Sequence, residues 1–183
     1  NLNRTYLKGN SYEKVTHWVK KINSSFRENQ VWALLTVTKK TLSQPKEVVD
    51  AYLSLWLKSI FLRVLNPYWF AARDLENIGY TYAEFFEFFK EALAYIIELN
   101  KMGIEMEENH SKIYLSKILT PFDPNYLDTR SPCCACVGQV AYNYNGKIYS
   151  CDEWRMLSRM GDEIFCMTEL WEDAKSTFEK MWN

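Results

Sequence analysis

The sequence predicts an α/β fold with about three strand–helix units, followed by a small cysteine-rich segment of hairpin and helix. Three observations carry this. Two runs, Val31 to Thr38 (VWALLTVT) and Ser59 to Leu65 (SIFLRVL), are continuously apolar and β-branched, as in strands buried on both faces. The segments between and after them carry apolar residues at helical spacing. All five cysteines fall between residues 133 and 166. Buried strands alternating with helices are the βαβ pattern of a parallel sheet. Three such units do not close a barrel; they make about half of one.

Each element has its own signal. Ser11 is the expected N-cap of a helix to about Phe26, with Val15, Trp18, Val19 and Ile22 on one side. Pro45 opens a second helix to Leu57, carrying Val48, Val49, Tyr52 and Leu53. Asn66-Pro67 stops the second strand. Thr81 caps a long helix from Tyr82 to about Lys101, ended by Met102-Gly103. The aromatic run Tyr80, Tyr82, Phe85, Phe86, Phe88 and Phe89 reads as a core face, with a peptide platform as the alternative. Ile104 to Glu107 is a short third strand, and Glu105, Glu107 and Glu108 read as a solvated acidic cluster. From Ser131 the character changes. Val140 to Tyr144 and Lys147 to Ser150 flank Asn145-Gly146, the preferred dipeptide of a type I′ hairpin. A short helix follows Cys151, and a last one runs from Glu169 to Trp182, capped by Thr168. This divides the chain into 1–120 and 121–183.

Bulk properties exclude several classes. A net charge of -1 over 183 residues provides no basic field for nucleic acid. No apolar run approaches the roughly 18 residues of a membrane span, and the polar N-terminus has no apolar signal-peptide core. An odd, unevenly spread set of five cysteines then favours a reducing, cytoplasmic setting over a disulfide framework. The chain opens on Asn1 with a loop-like Asn-Leu-Asn-Arg, as a fragment would.

Cys133-x2-Cys136, a hairpin, then Cys151 is a metal half-site, because the hairpin brings its two ends together. Thiolates hold iron–sulfur clusters or zinc. The alternative is buried thiols without metal. His17 and His110 are far away in sequence and read as surface or partly buried histidines. No nucleophile triad, P-loop or dinucleotide fingerprint is present.

Arg130-Ser-Pro-Cys133, Gly138-Gln139 and Tyr142-Asn-Tyr-Asn-Gly-Lys-Ile-Tyr-Ser-Cys151-Asp152-Glu153 together resemble the start of a SPASM domain. That domain follows the catalytic barrel of radical S-adenosylmethionine (SAM) enzymes that modify peptides. The chain is most similar to the His-Xaa-Ser system radical SAM maturase. Asn3-Arg4 and Gly9-Asn-Ser-Tyr12 resemble the loop into a barrel helix; VWALLTVT resembles barrel strand four and SIFLRVLNPY strand five. Thr120-Pro-Phe-Asp-Pro124 is similar to the bridge into the cluster domain.

The resemblance implies part of a partial (β/α)6 TIM-like barrel followed by a SPASM-type auxiliary [4Fe-4S] segment. It maps the family's cluster ligands onto Cys133 and Cys151; either Cys134 or Cys136 could replace a missing downstream ligand, and Cys136 is the candidate. By the same resemblance Thr36 and Thr38 touch the SAM ribose, with strand packing as the alternative. Arg63 reads as buried in an otherwise apolar strand, and a buried guanidinium needs an anionic partner, either the SAM carboxylate or a core carboxylate. Asn66 at the end of that strand is a further candidate. Implied partners are a peptide or small-protein substrate and an electron donor such as a flavodoxin or ferredoxin. The family's SAM-cluster motif, Cys-x3-Cys-x2-Cys, does not occur in this sequence, nor does its Gly-Gly-Glu segment, so the implied whole is a larger enzyme and this chain alone is inactive. Cys134 and Cys136 depart from the family's Cys-Gly-Ala-Gly, and Cys166 reads as packing. A non-catalytic zinc module that binds other proteins is the competing expectation.

Glycine is scarce, 6 residues against 7 tryptophans, about half its usual share of roughly 7%. Trp56 stands where a helix should end on glycine, Trp69 sits in the loop after Asn66-Pro67, and Trp154 replaces a family glycine. UGA read as glycine by the source, and as tryptophan in translation, would connect them; ordinary divergence is the alternative.

Overall fold

A computed structural model describes residues 9–25 and 31–172. They form two compact units, one up to Leu65 plus Ile78–Thr120, the other Asn66–Asn77 plus the residues from Pro121 onward. The sequence keeps 66–77 with the first region; the structure groups it with the second.

The first unit holds a parallel sheet in the order β1-β2-β3: Ala33–Thr36, Ser59–Arg63 and Glu107–Glu108. Helix α1 (Ser11–Ser25) precedes it. Its cap is Asn10, whose side-chain oxygen accepts from Tyr12 N–H at 3.0 Å, so Ser11 is the first helical residue and not the cap. The expected end of this helix at residue 26 lies outside the described residues. Helices α2 (Pro45–Leu53) and α5 (Tyr82–Lys101) connect the strands. Pro45 starts α2 at no hydrogen-bonding cost, since a first-turn N–H has no helical partner. Thr81 and Glu84 close a reciprocal capping box on α5.

Strand registers pair Ala33 with Ile60, Leu34 with Phe61, Leu35 with Leu62 and Thr36 with Arg63. Side chains alternate along a strand. Val37, Val49, Ile60, Leu62 and Ala92 therefore join one core with the α2 and α5 face. Each fully buried aliphatic side chain contributes about 1.5–3 kcal/mol. Leu34 and Thr36, on the other face, are exposed. The expected strand buried on both faces is thus covered on one face only, because the described helices α2 and α5 share the Ile60 and Leu62 side. Among the described residues no barrel closes.

Two side chains extend the sheet's hydrogen bonding where backbone runs out. The Tyr80 hydroxyl donates to Val37 O at 3.2 Å and accepts from Leu65 N–H at 2.8 Å, joining the carboxyl ends of the first two strands. Burial raises the Tyr80 phenol above its usual range. Tyr80→Phe leaves both backbone groups without that partner, and a loss of about 1–2 kcal/mol in urea unfolding is expected. Glu108 is buried, which corrects its reading as solvated. Its carboxylate accepts from Leu62 N–H at 3.2 Å and from His110 and Ser111 N–H at 3.1 and 2.6 Å. It thereby caps α6 (Asn109–Leu119), a helix the sequence reading passed over. Glutamate is an uncommon cap, so the start of that helix is not announced; Tyr114, Leu115, Ile118 and Leu119 do stand at helical spacing, but all four are exposed.

The second unit begins with short helices α3 (Phe70–Arg73) and α4 (Leu75–Ile78), the latter running into the boundary. After a 3-10 turn at Leu127–Thr129 comes an antiparallel sheet of β4 (Ala141–Tyr142), β5 (Lys147–Tyr149) and β6 (Cys166–Glu169). Helix α7 (Asp152–Ser158) lies between β5 and β6. Gly146 takes φ +85 in the hairpin turn, and the Trp171 ring covers it. The expected last helix is corrected at its start: Thr168 is a buried strand residue whose hydroxyl is 2.8 Å from the Glu172 carboxylate. From residue 173 that expectation lies outside the described residues.

Candidate metal centre

Cysteine crowding in residues 133–136 is turned into a compact loop by one carbonyl. Cys134 O accepts from Val137, Gly138 and Gln139 N–H at 3.1, 2.7 and 3.3 Å. Gly138 suits this closeness, since a Cβ there would stand a tight 3.2 Å from Cys134 Cβ. Cys136 N–H donates to Ser150 O at 3.0 Å, which sets the loop beside the end of β5 where Cys151 follows. This is the hairpin juxtaposition expected from Asn145-Gly146.

The thiols differ in environment. Cys134 and Cys151 are buried, at 7% and 6% exposure, while Cys133 and Cys136 are exposed and Cys166 half-buried. Burial, then the neighbouring Cys133 thiol, raises Cys134. Burial pushes Cys151 up to about 11, against the lowering effect of the Trp154 and Glu153 N–H groups. Glu153 is raised by burial and by Asp152. Cys136 Sγ lies 3.2 Å from Met167 Sδ. Cys166 Sγ faces Thr168 O at 3.8 Å.

The thiolate is the reactive and the metal-binding form. In the metal-free protein, iodoacetamide at mildly alkaline pH is expected to label Cys133 and Cys136 first, with Cys151 lagging until the pH nears 11; mass spectrometry after a timed quench reads the order. The linkage sign follows. A thiol raised on folding favours the protonated native state, so its contribution is whole below the ordinary thiol range and is lost as pH rises through it towards about 11.

Among the described residues, the ligand atoms of Cys151, Asp152 and Glu153 lie within 4.8 Å of one another. Cys133 and Cys136 are outside this group. Asp152 and Glu153 were missed as donors, although two acidic residues directly after a cysteine are a readable signal. A single metal ion needs donors that converge, as the ligand atoms of Cys151, Asp152 and Glu153 do.

Burial in this unit is unusual. Its buried residues are Cys134, Tyr149 and Cys151 with polar Asn143, Ser150 and Thr168 and the hairpin's Gly146, and no aliphatic side chain is buried among those described. The Tyr149 hydroxyl is enclosed and has no hydrogen-bond partner among the described residues. Small modules without an aliphatic core take their folding energy from metals or crosslinks.

The other candidates lie elsewhere. Thr36 and Arg63 are cross-strand neighbours at the carboxyl ends of β1 and β2. Thr38 follows in a turn, its N–H donating to Thr41 Oγ1 at 2.7 Å. Arg63 is half-buried, where the sequence reading has it buried. Asn66 falls in the second unit. His110 stacks on Phe61 and Tyr114, at 5.3 and 4.8 Å between centroids. No helix among the described residues is long and apolar enough to cross a membrane. No protein-family model matches the chain, and no curated protein or solved structure does.

Proposed function

We propose that the second unit is a cysteine-ligated iron–sulfur module and that the chain is part of a radical SAM enzyme acting on a peptide or small protein. The observation that carries the metal reading is the buried set of this unit: two thiols and a tyrosine where a small domain would otherwise bury aliphatic side chains. Cys133, Cys136 and Cys151 would hold the [4Fe-4S] cluster. Such a cluster accepts electrons or anchors a substrate atom when bound. The enzymatic part rests on the SPASM resemblance of residues 130–153 and on Thr36 and Arg63 sharing one strand end, where barrel folds bind their ligands. There the Arg63 guanidinium would pair with the SAM carboxylate and the hydroxyls of Thr36 and Thr38 would meet the ribose. Reducing equivalents would come from a flavodoxin- or ferredoxin-type donor.

The tight approach of Cys151, Asp152 and Glu153 favours a second reading, a single zinc ion in a protein-binding module. Anaerobic reconstitution with iron and sulfide separates the two. Brown protein with a broad visible absorption and bound sulfide supports the first; colourless protein holding stoichiometric zinc supports the second. Because the sequence has no Cys-x3-Cys-x2-Cys loop to leave one iron open, the reconstituted chain alone is expected to form no 5′-deoxyadenosine from SAM, as read by liquid chromatography. Product formation would overturn the assignment.

A further inference from the structure

Among the described residues three helices end on the same hydrogen-bonded motif, and one of them ends on the wrong residue. At the end of α5, Ile104 N–H bonds Leu99 O at 2.9 Å and Gly103 N–H bonds Asn100 O at 3.0 Å, with Gly103 at φ +83. At the end of α7, Asp162 N–H bonds Leu157 O at 3.3 Å and Gly161 N–H bonds Ser158 O at 3.2 Å, with Gly161 at φ +95. This is the Schellman motif, whose left-handed residue is usually glycine because a Cβ crowds the following carbonyl. At the end of α2 the pattern repeats bond for bond. Leu57 N–H bonds Tyr52 O at 3.3 Å and Trp56 N–H bonds Leu53 O at 2.8 Å. The left-handed residue, at φ 61, is Trp56, and its indole is 66% exposed.

Trp69 repeats the conflict in a different turn. Its φ 54 and ψ -112 are those of the first central residue of a type II′ turn, and Ala71 N–H bonds Tyr68 O at 3.1 Å to close it. That position takes glycine. Its ring does lie against Phe70 and Arg159, but ring contacts do not relieve a backbone conformation that crowds Cβ. Trp154 is different. It sits in the first turn of α7, half-buried, with its ring stacked on Phe165 at 3.7 Å between centroids, and nothing in that position calls for glycine. Asn125 also has positive φ, which asparagine tolerates. Cys136 is also at positive φ, 62, but cysteine is encoded by UGU or UGC, which neither reading of UGA changes.

We infer that positions 56 and 69 are glycine in the protein as its source makes it, inserted at UGA codons by a glycine-carrying tRNA with the complementary anticodon UCA. UGA is one base from the glycine codon GGA, and a translation that reads UGA as tryptophan yields the sequence in hand. Trp154 remains tryptophan, encoded by UGG.

Two measurements decide this. The first is the coding DNA together with mass spectrometry of the protein isolated from its source. Expected are UGA at codons 56 and 69, and tryptic peptides 47–58 and 64–73 each lighter by the difference between tryptophan and glycine. UGG at either codon, or peptides carrying tryptophan, overturns the inference. The second is the unfolding midpoint of recombinant full chain. Trp56→Gly is expected to raise it above both the Trp56 parent and Trp56→Ala, which removes the indole but keeps the crowded Cβ. A Trp56→Gly chain no more stable than Trp56→Ala overturns it independently.

Discussion

Cys151→Ala is expected to leave anaerobically reconstituted protein without bound iron, and Cys133→Ala to do the same. Cys151 closes the hairpin at the junction of β5 and α7, with its sulfur enclosed. A replacement ligand there would have to reach through the same packing, so none can substitute. Cys133 is the exposed end of a loop held to the hairpin by Cys136 N–H and Ser150 O. Cys136→Ala is expected to weaken retention, because its backbone bond survives while its thiolate is lost. Cys166→Ala is expected to retain nearly all the iron, since that sulfur is directed to Thr168 O within β6. Iron and acid-labile sulfide per chain, with the visible spectrum, read the outcome. If Cys166→Ala loses metal as fully as Cys151→Ala, the ligand set is wrong. A structural metal contributes directly to folding in a module with so little aliphatic core. The Cys151 variant should therefore also unfold at lower denaturant than the wild type loaded with metal, and at nearly the same denaturant when both are metal-free.

Glu108→Ala is expected to cost about 3 kcal/mol, from hydrogen bonds between a carboxylate and three backbone N–H groups. The residue serves the edge of β2 and the first turn of α6 at once. Its loss leaves Leu62 N–H without that acceptor in a buried position and α6 without a cap. Glu108→Gln keeps the shape but only one acceptor oxygen, so about half the effect is expected. Urea unfolding followed by far-ultraviolet circular dichroism measures both. An alanine variant within 0.5 kcal/mol of wild type, roughly the scatter of surface substitutions, would show that these bonds carry no net energy.

Residues with strong local codes were readable. Thr81 and Glu84 form a capping box from their own spacing, Gly103 ends α5, and Asn145-Gly146 makes the hairpin. Each involves groups within a few residues of one another. Misreadings came where the partner is remote. Glu108 looks solvated in sequence because its acceptor role depends on Leu62, 46 residues away. Thr168 looks like a helix cap until β5 pairs with it. The third strand, expected at 104–107, forms at Glu107–Glu108, where Ser59 and Ile60 offer partners.

For the candidate centre, the sequence by itself determined that thiols crowd one loop and recur after a tight turn, because Asn-Gly hairpin chemistry is local. It also determined the alternation of strand and helix in the first unit, since periodicity of apolar residues needs no partner to be seen. Only the tertiary structure decided that Cys134 and Cys151 are enclosed while Cys133 and Cys136 face solvent, and that Asp152 and Glu153 come within reach of the Cys151 sulfur. It alone decided that the backbone turns left-handed at Trp56 and Trp69. Burial and backbone sign are set by which segments meet, and segments far apart in the chain meet only when the whole fold is closed.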